Sequence, residues 1–246
     1  MGSAARHVVR GHGARRRNVG RHRPRQGGFA VIHRIVVGIS GASGAALGMR
    51  VLELLATVPC VETHLVVTRA GRQTLAHELG DAALKRAEVL ATAVHPVNAI
   101  GDTVASGSFP TSGMIVVPCS VRTLSAIAWG LSDNLLTRAA DVHLKERRRL
   151  VLMVRESPLH LGHLRSLIQV TEMGAIVALP VPAFYRLPER VEDIVDAVAR
   201  RAIGHLGLDL GLNAEPWEGL VDARRAAGET ERSSPARQRT PAGSPP

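Results

Sequence analysis

The chain has 246 residues, a formal net charge of +10 and only 2% aromatic residues. The charge lies at the ends, because residues 1–33 carry eight arginines and no acid, whereas residues 34–220 carry 18 basic and 18 acidic side chains. A neutral, aromatic-poor central part argues against nucleic-acid binding as the main function. The only cysteines are Cys60 and Cys119. Without a secretory signal they favour the reducing cytoplasm over a disulfide framework.

Both ends are predicted to be disordered because they have little to bury: a basic extension over 1–33 and a C-terminal tail over 211–246. The first segment has the arginine content of an organellar transit peptide but no clear amphipathic period. A disordered extension, or a start codon assigned too early, is therefore favoured. No apolar run approaches the roughly 20 residues that cross a bilayer, so no membrane partner is expected. Residues 34–210 are predicted to form one domain.

Short aliphatic runs alternate with helical periods along this domain, which is typical of a parallel sheet covered by helices on both faces. The predicted strands are 35–39, 64–68, 114–118, 150–154 and 175–179, and the predicted helices lie near 45–57, 70–79, 123–130, 136–147, 161–173 and 191–206. We therefore expect an α/β, Rossmann-like (flavodoxin-like) three-layer domain. Ligands of such sheets bind beyond the carboxyl ends of the strands, so the residues that follow each strand are the candidates for a site.

The first predicted strand runs into the small-residue segment SGASG (40–44), and a helix begins near Ala45. Such a loop can hold a phosphate of a nucleotide or flavin, although the same glycines also suit a plain strand-to-helix turn. The second strand ends in Thr68 and Arg69, without the acid that usually holds the ribose of NAD, so NAD is disfavoured. Thr68 either hydrogen-bonds a ligand or satisfies local backbone.

The third predicted strand is followed by Cys119 and then SVRT (120–123), which offers hydroxyls and backbone donors at a helix start. This segment is a second candidate for an anion or ring-edge site, but simple N-capping explains it equally well. Cys119 lies in an apolar run and is interpreted as a buried small residue. His160 and His163 have no third ligand nearby in sequence, so we expect solvent-facing or capping roles and no metal site.

Two further segments carry charge. Arg138, Asp141 and Lys145 fall on one face of a predicted helix at three- and four-residue spacing, which alone indicates an exposed ion-pair ladder. The fourth strand is followed by Arg155 and Glu156, at the same edge of the sheet as the other candidate loops.

Several segments in one order resemble the UbiX/Pad1 family of flavin prenyltransferases over residues 34–208. They are GISGASG (38–44), ASGSF (105–109), VVPCSVRTLSAIAWGLSDNLLTRAADVHLKERR (116–148), LVLMVRESPLHLGHL (150–164), EMGAIVALPVPAFY (172–185) and VEDIVDAVARR (191–201). The resemblance implies transfer of a dimethylallyl group from dimethylallyl phosphate to N5 and C6 of reduced FMN. The product, prenylated FMN, serves UbiD-type decarboxylases. A homo-oligomer, expected to be a dodecamer, is implied as well.

The resemblance also assigns residues. FMN would be bound by Gly41, Ala42, Ser43, Thr68, Ser120, Val121, Arg122, Thr123 and Arg138. Dimethylallyl phosphate would be gripped by Lys145, Arg155, Tyr185 and Arg201, and the catalytic set would be Ser43, Glu156, Lys145 and Arg155. Glu78 matches another acid of the family, although in isolation it is typical of a surface helix.

The chain departs from its relatives before the ASGSF segment, where some of them carry a tryptophan and this chain has DTVA (102–105). Trp129 is not assumed to replace it. The alternative in the same ligand class is an FMN-dependent decarboxylase of phosphopantothenoylcysteine type, which would place a catalytic histidine where FPTSG (109–113) stands. A non-catalytic FMN carrier is the alternative from a different class.

Overall fold

The computed structural model describes residues 31–213. The strands are β1 (His33–Ile39), β2 (Val61–Val67), β3 (Ala93–His95), β4 (Gly113–Cys119), β5 (Leu150–Val154) and β6 (Ile176–Val177). The helices are α1 (Ala45–Ala56), α2 (Arg69–Leu79), α3 (Ala83–Leu90), α4 (Val121–Ala128), α5 (Leu135–Lys145), α6 (Leu161–Glu172) and α7 (Val191–Gly204). Short 3-10 turns span Thr103–Ala105 and Phe184–Arg186.

The six strands form one parallel sheet in the order β3-β2-β1-β4-β5-β6. All seven residues of β4 are buried, because both faces of the sheet are covered. Ile115 and Val117 pack in the layer of α1, α2, α3 and α7, whereas Met114 and Val116 pack in the layer of α4, α5 and α6. The alternation confirms the predicted three-layer α/β domain with a parallel sheet. Within residues 31–213, no helix is long and apolar enough to span a membrane.

The five predicted strands and six predicted helices are present, with shifted ends. Only 150–154 has the predicted bounds; the second strand begins three residues early at Val61, and the last is reduced to Ile176–Val177. Two elements, α3 and β3, were not predicted, because β3 has only three residues and α3 buries only two alanines, so neither shows a clear apolar pattern. The predicted tails 1–33 and 211–246 lie largely outside the described residues and stay predictions.

The strand order reverses between β1 and β4, where the chain leaves the sheet toward opposite faces. Ser40 ties the two strand ends together at this point: its hydroxyl donates to Pro118 O at 3.0 Å and accepts from Ser120 N at 2.8 Å. The Ser40 backbone N–H also donates to Pro118 O, at 3.2 Å. The loops after β1 and β4 are thus fixed side by side at the carboxyl edge of the sheet.

Candidate active site

The loop after β1 needs its glycines for geometry. Gly44 has a φ of 112°, in the left-handed region that favours glycine. Gly41 lies so close to Ala70 of α2 that a Cβ there would overlap the Ala70 methyl group. Ser43 lies exposed at the tip of this loop, and its hydroxyl has no hydrogen bond within residues 31–213. Ser43 is therefore the member of the loop that remains open to a ligand.

Glu78 occupies the N-terminus of α1. Its carboxylate accepts from Gly44 N at 3.0 and 3.2 Å and from Ala45 N at 2.7 Å. These N–H groups carry the partial positive charge of the helix end, so the acid fills the position that a phosphate would take. Sequence reasoning did not find this contact, because 33 residues separate Glu78 from Ala45.

The N-terminus of α4 is capped differently. The Ser120 hydroxyl accepts from Thr123 N at 3.3 Å and so caps the helix, which is the role weighed as the alternative. The Ser120 hydroxyl also donates to the Thr123 hydroxyl at 3.1 Å. The Arg122 guanidinium pairs with Asp133 at 2.5 Å. The first N–H groups of a helix have no intrahelical acceptor, and no carboxylate takes those of Val121 and Arg122 in the described chain. This helix end suits an anion better than that of α1.

Thr68 and Arg155 border the same edge. The Thr68 hydroxyl caps α2 by accepting from Gly71 N at 3.0 Å, and the backbone N–H of Arg155 donates to Cys119 O at 3.1 Å. Cys119 is fully buried, and burial raises the pKa of its thiol to about 12, which excludes it as a nucleophile at neutral pH. The Arg155 side chain is exposed and unpaired within residues 31–213, whereas Glu156 is half-buried and accepts from Ser157 N at 3.0 Å.

Tyr185 and Arg201 line a cavity of about 680 Å³ between the β6 end of the sheet and α7, called here the Tyr185 cavity. Met153 of β5 forms part of its wall. Tyr185 is 57% exposed, with the Arg186 guanidinium 5.7 Å from the centre of its ring. The Arg201 guanidinium forms no ion pair within the described chain. A phenol and a free guanidinium at one cavity suit a phosphate ester.

Arg138 and Lys145 lie on α5, each beside an acid. The Arg138 guanidinium contacts Asp141 at 2.6 Å, which is the spacing-based pairing predicted from the sequence. The Lys145 ammonium pairs with Glu146 rather than with Asp141. The carboxylate pKa of Glu146 is lowered by this hydrogen bond and by the charge of Lys145.

Lys145 does not lie near Ser43 in one chain. Helix α5 starts near the carboxyl edge, where Leu135 N donates to Val97 O, and ends at the amino edge, before β5. A seven-residue strand such as β1 is roughly 23 Å long, so this span separates Lys145 from the loops after β1, β4 and β5. A single chain assembles the predicted flavin loops and, separately, the Tyr185 cavity, but not Lys145.

The histidines lie apart from these residues. His160 caps α6 by accepting from Gly162 N at 3.0 Å, as the capping interpretation predicted, and its ring centre lies 3.5 Å from that of His163. A histidine pair was missed: His64 Nδ1 lies 2.9 Å from His95 Nε2, and His95 Nδ1 lies 3.0 Å from Asp102. Burial lowers the pKa of His64.

Comparison with known proteins identifies the family. The family model Flavoprotein matches residues 28–203. The flavin prenyltransferase UbiX of Neisseria meningitidis serogroup B is 52% identical over 194 residues, which are 78% of this chain and all of that protein.

Two solved structures are also similar. One is AnUbiX (PadA1) in complex with FMN and dimethylallyl pyrophosphate, with a TM-score of 0.72 and 46% identity, covering 76% of this chain and 98% of that one. The other is a dodecameric FMN-dependent UbiX-like decarboxylase from Escherichia coli O157:H7, with a TM-score of 0.72 and 42% identity, covering 76% and 100%. Because about half of the aligned residues are identical to those of a protein whose whole length is matched, and because the fold is the same, this chain belongs to the UbiX family of flavin prenyltransferases.

Proposed function

We propose that this protein transfers the dimethylallyl group of dimethylallyl phosphate to N5 and C6 of reduced FMN and so makes prenylated FMN for UbiD-type decarboxylases. The observation that carries the proposal is a set of side chains suited to bind a phosphate ester. Arg201 and Arg155 are cations without ion-pair partners in residues 31–213. Arg201 lines the Tyr185 cavity together with Tyr185, and Glu156 directly follows Arg155 in the chain. A protein that only stored FMN would have no use for this second anion site.

The carboxyl edge fits FMN as the other substrate. The open N–H groups of Val121 and Arg122 suit its phosphate, and the Ser43 hydroxyl suits a polar edge of the flavin ring. The Glu78 carboxylate makes the neighbouring helix end unsuitable for a second phosphate group. Arg138 would bind the phosphate or an adjacent polar edge when it leaves Asp141. Exposed ion pairs contribute little, about 0–1 kcal/mol, so a ligand can displace them at small cost.

The residues divide the chemistry between them. Reduced flavin supplies the two nucleophilic positions, N5 and C6. When the allylic C–O bond breaks, the phosphate takes the electron pair, and Lys145, Arg155 and Arg201 stabilise its charge while Tyr185 donates a hydrogen bond. Alkylation of N5 releases the N5 proton. The second bond then forms between C6 and the allylic double bond, whose other carbon takes up a proton, and C6 loses its own proton; Glu156 is the base that accepts the C6 proton. Ser43 hydrogen-bonds at N5.

The complete site is formed between copies of the chain. Lys145 lies at the opposite edge of the sheet from Ser43, so one chain cannot bring both to one substrate. Large apolar side chains are also exposed around the Tyr185 cavity, just after α4 and on α6: Phe184, Leu187, Trp129, Leu161 and Ile168. Exposed apolar patches of this kind mark interfaces. We propose a dodecamer, as in the Escherichia coli relative. We also propose a cytoplasmic location, since both cysteines are free in the described chain.

The decarboxylase alternative lacks its base. The segment 109–113 leads into β4 at the amino edge of the sheet, and it contains no histidine. The buried histidine at this segment, His143, contacts Thr111 and is not accessible to a substrate.

The deciding experiment is anaerobic incubation of the purified protein with reduced FMN and dimethylallyl phosphate, followed by mass spectrometry of the released flavin. A flavin heavier by one dimethylallyl unit supports prenyl transfer. A known family member, run in parallel, shows that the conditions permit turnover. Unmodified FMN that stays bound under those conditions would favour the carrier. In a separate incubation with a cysteine-derived carboxylate, release of carbon dioxide would favour the decarboxylase.

A further inference from the structure

The segment before β4 is fastened to the end of α5 by one side chain. The Arg148 guanidinium donates to Gly107 O at 2.5 Å, to Phe109 O at 2.7 Å and to the Thr111 hydroxyl at 3.0 Å. Arg148 follows the last residue of α5, Lys145, by three positions, and its backbone N–H donates to His143 O at 2.8 Å. The planar guanidinium can hold several acceptors in fixed directions, which a lysine ammonium cannot do as well.

Gly107 touches the Lys145–Glu146 pair directly. A Cβ built on Gly107 would lie 2.7 Å from Lys145 Nζ and 2.8 Å from Glu146 Cδ, and closer still to Glu146 Oε1. The backbone of Gly107 is not in the left-handed region, so its φ does not demand glycine. A methyl group at position 107 would therefore displace the head groups of Lys145 and Glu146, the flexible ends of two exposed side chains.

We propose that Gly107 and Arg148 are positioning residues for Lys145, and that they set how well the prenyl-transfer site grips the phosphate of its allylic substrate; this inference rests on the function proposed above. Lys145 has a long, flexible side chain that loses rotamer freedom when it binds a phosphate. Backbone packed against its head group restricts that freedom beforehand. Arg148 keeps this backbone in place through the Gly107 and Phe109 carbonyls, and Glu146 holds the ammonium until a phosphate replaces it.

The first test is Gly107→Ala, with Gly101→Ala as the matched control. Gly101 has nothing within 4 Å of an added Cβ, and its φ is also outside the left-handed region. We expect Gly107→Ala to raise the KM for dimethylallyl phosphate roughly tenfold, the size of a weakened charge-assisted contact, and to raise the inhibition constant of inorganic phosphate in parallel. The dissociation constant of FMN and the thermal midpoint should stay close to those of the control.

The second test is Arg148→Met, with Arg148→Lys and Arg149→Met beside it. Arg149 carries the same charge, and its guanidinium forms no hydrogen bond or ion pair within residues 31–213. Arg148→Met should raise the KM for dimethylallyl phosphate and the inhibition constant of inorganic phosphate at least tenfold. Arg148→Lys should restore part of the lost affinity, and Arg149→Met should leave both constants unchanged. If Arg148→Met does not fold, Gly107→Ala decides alone.

The outcomes separate this inference from the proposed function. If the wild-type protein makes no prenylated flavin, the proposed function fails and the inference fails with it. If the wild type turns over and Gly107→Ala has unchanged constants for both phosphates, only the positioning role is overturned. The same holds if Gly107→Ala lowers kcat and thermal stability together without changing either phosphate constant, because that result indicates a purely structural role.

Discussion

His143 should make the stability of this protein fall in mildly acidic solution. The side chain is fully buried on α5, its Nδ1 lies 2.7 Å from Ala139 O, and its Nε2 lies 2.9 Å from the Thr111 hydroxyl. The carbonyl can only accept, so Nδ1 carries the proton and Nε2 accepts from the threonine. Burial, together with the charge of Arg148, lowers the pKa of this imidazole from 6.5 to about 4.

Proton linkage determines the sign and the size of this change in stability with pH. Between pH 6.5 and pH 4 the unfolded chain binds a proton at His143 that the folded chain does not bind, so protons favour the unfolded state. The stability supplied by the neutral imidazole is present above pH 6.5, and roughly 2–3 kcal/mol of it is lost by pH 4.5. Carboxylates with lowered pKa values, such as Asp102 and Asp196, lose their contribution only at lower pH.

The assay is urea unfolding at fixed protein concentration between pH 7.5 and pH 4.5, for the wild type and His143→Gln. The variant is expected to be less stable at pH 7.5, but its free energy of unfolding should change with pH by roughly 2–3 kcal/mol less over this range. Exposed His77→Gln is the control and should follow the wild type. Equal pH dependence in the wild type and His143→Gln would refute the reasoning, because the titrating group would then lie elsewhere.

Three further substitutions test the site and the fold. Glu156→Gln should retain FMN and slow product formation about a hundredfold, as for loss of a positioned base, and an undiminished rate would remove this acid from the mechanism. Arg201→Ala should raise the KM for dimethylallyl phosphate roughly tenfold with FMN still bound; loss of FMN would show that the two subsites are not separate. Gly71→Ala would place a methyl group 2.5 Å from Ile39 O, so thermal denaturation should show a loss of about 1–3 kcal/mol.

The sheet could be predicted because its strands are buried on both faces. The run 150–154 is entirely apolar and its five residues are all buried, so its bounds are visible in the sequence. In α3 only Ala83 and Ala87 are buried, which gives no distinct apolar stripe. For β3 the reason is length, since three residues cannot display a period.

In the candidate site, local contacts were predictable and distant ones were not. The capping hydroxyls of Thr68 and Ser120 act within three residues, as does the pairing of Arg138 with Asp141. By contrast, Glu78 reaches the start of α1 from the end of α2, and Arg148 reaches a segment some 40 residues earlier. Such contacts depend on how the layers pack, which no spacing along the chain records.

The cations of the site fall into two groups that differ in what a phosphate must displace. Arg155 and Arg201 have no ion-pair partner in residues 31–213, so they attract an anion without giving up a contact. Arg138 and Lys145 each hold an acid at the surface, in pairs that add little to stability because water screens them. Asp141 and Glu146 each hold one of these side chains in one direction. In the assembly proposed above, Lys145 meets a substrate that another copy of the chain holds, so its orientation matters most.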